Sequence, residues 1–288
     1  MFTKTSSVTN DTLIDITSGS STQIANCKII NTSADSNPSL NSTCVLINNF
    51  SSLSNCDVIA AQNLLVSPGQ VTCVIVGPNS GLVNCFISGA GCVPVPDYGL
   101  NMSGSSSVVF SVGNTISNVK RGIAISNTSN SVIHNNTVSN CSVVAMTIYG
   151  FFGSASALVS DCIFCNSAVG LSLGSGASYN GHSFMNNCRF FGNTNNFSFS
   201  SGSLITADNS IEWATLITGD SGTGSDQEFV SAGSNNQFGM CLKPQALSVG
   251  SSTFGGNIGA LQIGSGPTNH MYPVEKGRGN RRDELPNQ

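Results

Sequence analysis

The sequence predicts an all-β solenoid, a parallel β-helix of stacked coils, and three observations carry that prediction. First, a short motif of the form polar–(Cys/Asn)–x–apolar returns along most of the chain. It reads Asn26-Cys27-Lys28-Ile29, Asn55-Cys56-Asp57-Val58, Asn84-Cys85-Phe86-Ile87, Gly113-Asn114-Thr115-Ile116, Asn135-Asn136-Thr137-Val138, Asp161-Cys162-Ile163-Phe164, Asn187-Cys188-Arg189-Phe190, Asn209-Ser210-Ile211-Glu212 and Asn235-Asn236-Gln237-Phe238. With the second residue of each as marker, the steps are 29, 29, 29, 22, 26, 26, 22 and 26, and a second ladder, Cys44 to Cys73, again spans 29. Repetition on this scale marks stacked supersecondary units, none of which buries its apolar face alone. Second, short runs alternate apolar and polar residues with period two, the pattern of a half-buried strand. Third, clusters of Gly, Asn and Ser separate those runs, and these residues make tight bends.

Taken in chain order, residues 1–20 form an N-terminal cap, because a bare terminal coil exposes strand edges and core. The β-helix occupies 21–264. One set of strands is Ile24 to Ile30, Leu53 to Ile59, Leu82 to Ile87, Val132 to Val138, Leu158 to Phe164 and Phe184 to Phe190. A second set follows in each repeat: Cys44 to Ile47, Cys73 to Val76, Leu100 to Met102, Ile123 to Ile125, Met146 to Ile148, Leu171 to Leu173 and Phe197 to Phe199. Two or three strands per repeat over this span give nine or ten coils, on the order of 45 Å at about 4.8 Å per coil. The shorter later steps predict a coil that narrows or loses a loop. The irregular stretch 240–264 is the candidate for the other end. After Gly264 Pro and charge rise, and 265–288 is read as a tail or docking arm.

Composition narrows the function classes. Charged residues are only 8%, against about 25% in an ordinary domain. Ser (47), Asn (33) and Gly (31) replace them, which suits a solenoid whose bends and outer faces are polar but uncharged. Net charge is −4 and no basic stripe exists to neutralise phosphates, so nucleic acid is not the expected partner. The basic run Lys276, Arg278, Arg281 and Arg282 leads directly into Asp283 and Glu284 and is read as a solvated tail. Apolar runs such as Val74-Ile75-Val76 are far short of the ~20 residues of a spanning helix. The N-terminus lacks the apolar core of a secretory signal, while a virion, extracellular or cell-surface location fits the composition. Arg282-Asp283-Glu284-Leu285 is not C-terminal, so it is not read as a retention signal.

Eleven Cys, an odd number, cannot all pair within one chain. Cys27, Cys56 and Cys85 take the same place in successive repeats, as do Cys44 and Cys73. In parallel in-register strands such residues stack about 4.8 Å apart, whereas a disulfide wants Cβ atoms near ~3.8 Å. The expectation is internal ladders of free thiols acting as small buried hydrophobes. Cys162 and Cys165 form a C-x-x-C, but it lies inside a repeat, no second one exists, and His134, His182 and His270 are scattered; zinc or redox chemistry is not expected there.

The unit Arg121-Gly122-Ile123-Ala124-Ile125-Ser126-Asn127-Thr128-Ser129-Asn130-Ser131-Val132-Ile133-His134-Asn135-Asn136-Thr137-Val138 resembles the repeat of right-handed parallel β-helix proteins, in the broad pectate-lyase-like superfamily. Similar units are Val169 to Leu173 with Asp161 to Asn166, and Phe190 to Asn193. The F-x-x-N pieces Phe190 to Asn193 and Phe254 to Asn257 partly resemble repeats of the polymorphic membrane proteins, without their G-G-A partner motif. The resemblance covers about residues 20–260. It implies the fold and the right hand of the coil, and leaves activity open among lyases, hydrolases, tailspikes, adhesins and inert surface proteins.

Enzymes of the resembling superfamily use clustered charge: calcium on Asp/Glu with an Arg or Lys base, or paired Asp as acid and base. Here Lys120 and Arg121 adjoin a strand, yet 99–160 contains no Asp or Glu, and Arg189 beside Cys188 has no acidic neighbour in sequence. The acids gather instead at Asp208, Glu212, Asp220, Asp226 and Glu228, near Trp213. Such a set can bind or cut a sugar stacked on the indole, or hold a structural calcium. It also reads as a polar loop, Gly219 to Asp226, with Trp213 covering core. The sequons at Asn31, Asn41, Asn49, Asn101, Asn127 and Asn196 follow from the composition, and Gly174-Ser175-Gly176 and Gly255-Gly256 are turns without a phosphate-loop context. Thr does not recur at the repeat spacing, which argues against an ice-matching surface. The expectation is a non-enzymatic structural or surface protein without a cofactor: a rigid β-helical part of a virion, fibre, coat or cell envelope, with protein as its partner through self-association or a larger assembly. The alternative is a glycan-binding or glycan-cleaving β-helix of tailspike type, built on Trp213, Asp208, Glu212, Asp226 and Glu228.

Overall fold

The repeated marker is a corner. In the computed structural model, which describes residues 2–4, 11–16, 21–32, 41–61, 69–103, 108–126, 130–149, 156–173, 184–186 and 188–199, the residue before each of the first six markers has left-handed backbone. Asn26, Asn55, Asn84, Asn135 and Asp161 have φ of 57, 53, 52, 55 and 52°, and Gly113 takes their place at 67°. Asn and Asp tolerate this region better than other residues with a Cβ, and Gly tolerates it freely. The chain turns there, and the following Cys or Asn is carried inward. A second corner uses Asn118, Asn140, Asn166 and Gly192, with φ of 58, 56, 51 and 64°.

These corners divide each coil into three faces. Face one stacks β1 (Phe2–Lys4), β4 (Lys28–Asn31), β7 (Asp57–Ala60), β10 (Phe86–Ser88), β13 (Thr115–Ser126), β15 (Thr137–Tyr149), β17 (Ile163–Cys165) and β20 (Arg189–Phe191). Face two stacks β2 (Asp11–Ile16), β5 (Asn41–Ile47), β8 (Gln70–Val76), β11 (Tyr98–Ser103), the later halves of β13 and β15, β18 (Val169–Leu173) and β21 (Asn195–Phe199). Face three is a separate seven-stranded sheet of β3 (Gln23–Ala25), β6 (Ser52–Ser54), β9 (Gly81–Val83), β12 (Val108–Val112), β14 (Asn130–His134), β16 (Ser156–Ser160) and β19 (Phe184–Asn186). Neighbours in every ladder are parallel and one coil apart, as in Ile29↔Val58 and Ile87↔Ile116. No helix occurs among the described residues.

The structure corrects three details of the sequence reading. The runs Ile24 to Ile30, Leu53 to Ile59 and their equivalents are not single strands. The left-handed Asn splits each into a face-three strand and a face-one strand, here β3–β4 and β6–β7. The described residues carry eight rungs on faces one and two and seven on face three, fewer than the nine or ten coils expected; the markers at 210 and 236 lie outside the described residues. The rungs also begin earlier than residue 21, since β1 pairs with β4 and β2 with β5 in register and so cover the coil that follows.

The change of step from 29 to 22 has a local cause. In the first three coils nine residues link face one to face two: 32–40, 61–69 and 89–97. In the next, β13 runs unbroken through the corner. It stays paired with β15 through a register shift between Val119 and Arg121, a bulge that bends the ladder at Asn118 and Asn140.

Inside, the ranks are continuous. Face one contributes Ile29, Val58, Ile87, Ile116, Val138, Phe164 and Phe190, all buried, with the Phe164 and Phe190 rings stacked at 5.2 Å. Face two contributes Val45, Val74, Leu100, Ile123, Met146 and Leu171, equally buried. Where these faces meet, register places Cys44, Cys73, Gly99, Gly122, Ala145 and Gly170 in one rank of small residues. The space there is closed: a Cβ on Gly122 would collide with the Ala145 carbonyl oxygen and with Val138.

Candidate functional surface

The first-corner rank is a polar ladder inside an apolar core. Cys27, Cys56 and Cys85 give way to Asn114 and Asn136, then to Cys162 and Cys188. The side chain at the marker accepts the backbone N–H of the marker one coil back. Cys27 N donates to Cys56 Sγ at 3.4 Å, Cys85 N to Asn114 Oδ1 at 2.7 Å, Asn114 N to Asn136 Oδ1 at 2.9 Å and Asn136 N to Cys162 Sγ at 3.3 Å. Face three widens this ladder with buried Ser111. Its Oγ accepts from Asn114 Nδ2 at 2.9 Å and donates to Asn136 Oδ1 at 3.1 Å, while Asn136 Nδ2 donates to the Ser111 carbonyl at 2.8 Å. These groups satisfy the N–H donors and carbonyl acceptors that a sharp bend leaves without sheet partners.

All ten described cysteines are free thiols, and nine of them are buried; Cys27, in an end coil, is half-buried. Burial pushes Cys44 and Cys141 up to about 12 and holds Cys73, Cys85 and Cys188 well above the ordinary thiol value. Such thiols are protonated and unreactive at neutral pH. Cys162 stands at the corner just before β17, and Cys165 is the last residue of that strand. Cys162 joins the interior ladder, and Cys165 follows Ser139 on the outer row.

One charged cluster stands on the outside, where face two begins. Lys120 Nζ donates to Asp97 Oδ1 at 2.9 Å, and Asp97 Oδ2 accepts the Val71 N–H at 3.0 Å. Arg121 lies in register with Tyr98, its guanidinium carbon 5.4 Å from the ring centre, a cation–π distance. Burial raises the Tyr98 hydroxyl, Tyr149 beside it adds to this, and Arg121 opposes it. The sequence reading singled out Lys120 and Arg121 and found no acid in 99–160. The partner is Asp97, just outside that window, and only coil stacking brings it near. Its carboxylate already binds a cation and an N–H, so the pair clamps neighbouring coils.

A second constellation was missed in the sequence. His134 Nδ1 lies 2.9 Å from Ser160 Oγ and 3.6 Å from Asp161 Oδ2. Aligning the markers would have found it, because His134-Asn135-Asn136 and Ser160-Asp161-Cys162 are equivalent. Both partners approach the same ring nitrogen. A nucleophile relay instead needs Ser and carboxylate on opposite nitrogens, so this set ties adjacent coils together. Asp208, Glu212, Trp213, Asp220, Asp226 and Glu228 lie outside the described residues, as does 265–288. Among the sequons, Asn31 is fully buried and donates to Ser42 Oγ at 3.5 Å, so the folded chain does not present it.

The remaining outer feature is face three. Its seven strands contain no Asp, Glu, Lys or Arg. Successive outward positions are Phe110, Val132 and Leu158, with Val108 beside Phe110. Leu158 is 48% exposed and Val108 45%. The Phe110 ring lies over Gly81, where any Cβ would strike it.

A family model described as "Right handed beta helix region" matches residues 12–180. The chain belongs to this right-handed β-helix family. No significant match is found among curated proteins or solved structures.

Proposed function

We propose that this protein is a structural β-helix without enzymatic activity, which works by packing a flat face against further copies of itself in a virion, fibre, coat or envelope assembly. The observation that carries the reading is the outer side of face three. A sheet with no Asp, Glu, Lys or Arg in its strands, carrying an apolar row of Phe110, Val132 and Leu158, meets no electrostatic repulsion from an identical sheet. It gains from leaving water. The low charge of the whole chain supports the same reading.

Analytical ultracentrifugation of the purified chain tests it. Self-association is expected, and Leu158→Lys should weaken it by about tenfold or more, since roughly 1.4 kcal/mol of lost contact has that effect. A monomer at all accessible concentrations would overturn self-packing. Glycan turnover abolished by Glu212→Gln would overturn the non-enzymatic reading and favour the tailspike alternative.

A further inference from the structure

The cysteines of the first corner have a geometry that assembly does not use. Cys27, Cys56 and Cys85 each donate Sγ–H to the carbonyl two residues earlier: to Ala25 at 3.2 Å, Ser54 at 3.1 Å and Val83 at 3.4 Å. Equivalent local bonds on equivalent backbone mean equivalent rotamers. Each side chain is therefore close to a translation of the next, and the sulfurs stand about one rung apart, roughly 4.8 Å.

That separation selects among the bonds sulfur can make. A disulfide needs about 2.05 Å between sulfurs. Two thiolates on a tetrahedral metal, each at roughly 2.3 Å, stand about 3.8 Å apart and need two more ligands. Among the described residues no group of three or more His, Cys, Asp and Glu is placed to hold a metal. A metal lying on the straight line between two sulfurs, with the same bond length, needs about 4.6 Å. The stacking of the coils supplies that distance.

The geometry points to a linear, two-coordinate site for a soft monovalent cation, Cu(I) or Ag(I), between Cys27 and Cys56. Thiolates with no oxygen or imidazole partner select soft ions of this kind. Cys27 is half-buried and offers the way in, whereas Cys56 is fully buried. Binding forms two metal–sulfur bonds, releases two thiol protons and changes no oxidation state, so the bis-thiolate carries one negative charge. The Cys27 N–H, already 3.4 Å from Cys56 Sγ, faces that charge, and the Cys27 sulfur keeps its contact with water. Cys162 and Cys188 have the same rung relation, but both are buried and lack an entry from solvent.

The test is an anaerobic titration of the reduced full chain with Cu(I) against a chromophoric Cu(I) chelator, followed by X-ray absorption at the copper edge. The expected result is one tightly held copper with two sulfur neighbours, no nitrogen or oxygen neighbour and two protons released. Cys27→Ser, a change at a half-buried end-coil position, should lower affinity by more than roughly 100-fold, beyond the loss of an outer partner, with an unchanged circular dichroism spectrum. Failure to load, three or four ligands around the copper, or wild-type affinity in Cys27→Ser would each overturn the proposal.

Discussion

Raising the pH above 9 should destabilise this protein through its core thiols. Burial pushes Cys44 and Cys141 from the ordinary value of 9.0 up to about 12 and holds Cys73 well above it. In the unfolded chain the same groups ionise near 9.0. Below that pH they are protonated in both states and contribute no slope. Above it the unfolded chain has released protons that the folded chain still holds, so stability falls as pH rises, until the folded thiols ionise in turn. Each thiol past its unfolded value contributes about 1.4 kcal/mol per pH unit. At pH 10 the three together remove about 4 kcal/mol, from a native stability that is typically about 5–15 kcal/mol. Cys85, Cys188 and Tyr98, also raised by burial, act in the same direction. The assay is guanidinium unfolding between about pH 8 and pH 10, with reductant, followed by circular dichroism. Cys44→Ala and Cys141→Ala should each cost stability at pH 8 through the cavity left behind, yet each should reduce the stability lost between about pH 8 and pH 10 by about 1.4 kcal/mol. A wild-type stability that stays level from pH 8 to pH 10, or variants that keep the wild-type slope, would refute the reasoning.

Three further outcomes follow from the corners and ranks. Asn136→Ala removes the acceptor of the Asn114 N–H and the Ser111 hydroxyl; with two buried donors orphaned, a loss of about 2–5 kcal/mol is expected in denaturant titration. Gly122→Ala has no room beneath the Ala145 carbonyl and should cost about 3 kcal/mol or prevent folding, checked by soluble yield and thermal melting. Asn55→Gly should be nearly neutral because Gly113 already serves the equivalent corner, whereas Asn55→Val should lose about 1–2 kcal/mol by forcing a β-branched residue into left-handed backbone.

Much of this molecule was legible in the chain itself. A stacked coil repeats its environment, so the same residue type recurs at Cys27, Cys56 and Cys85, and the recurrence reports the fold directly. Even the shorter step after Asn114 was visible as a missing piece of coil. What the sequence left open was where each run bends. Ile24 to Ile30 alternates like one strand, and only the left-handed φ of Asn26 divides it between two faces. The pairing of Asp97 with Lys120 was likewise closed to linear reading, because it is set by the pitch of the coil, whereas that of His134 with Ser160 and Asp161 could have been read by aligning the repeats. The character of the surface also waited for the fold. Phe110, Val132 and Leu158 are ordinary apolar residues in the sequence, each next to a buried one. Strand alternation turns these three outward while Val109, Ile133 and Val159 turn in, and stacking then makes one apolar row out of residues more than twenty positions apart. Local spacing determined the fold because every coil satisfies its backbone against an equivalent neighbour. The outer surface and its ion pairs were decided only when those coils were laid on one another.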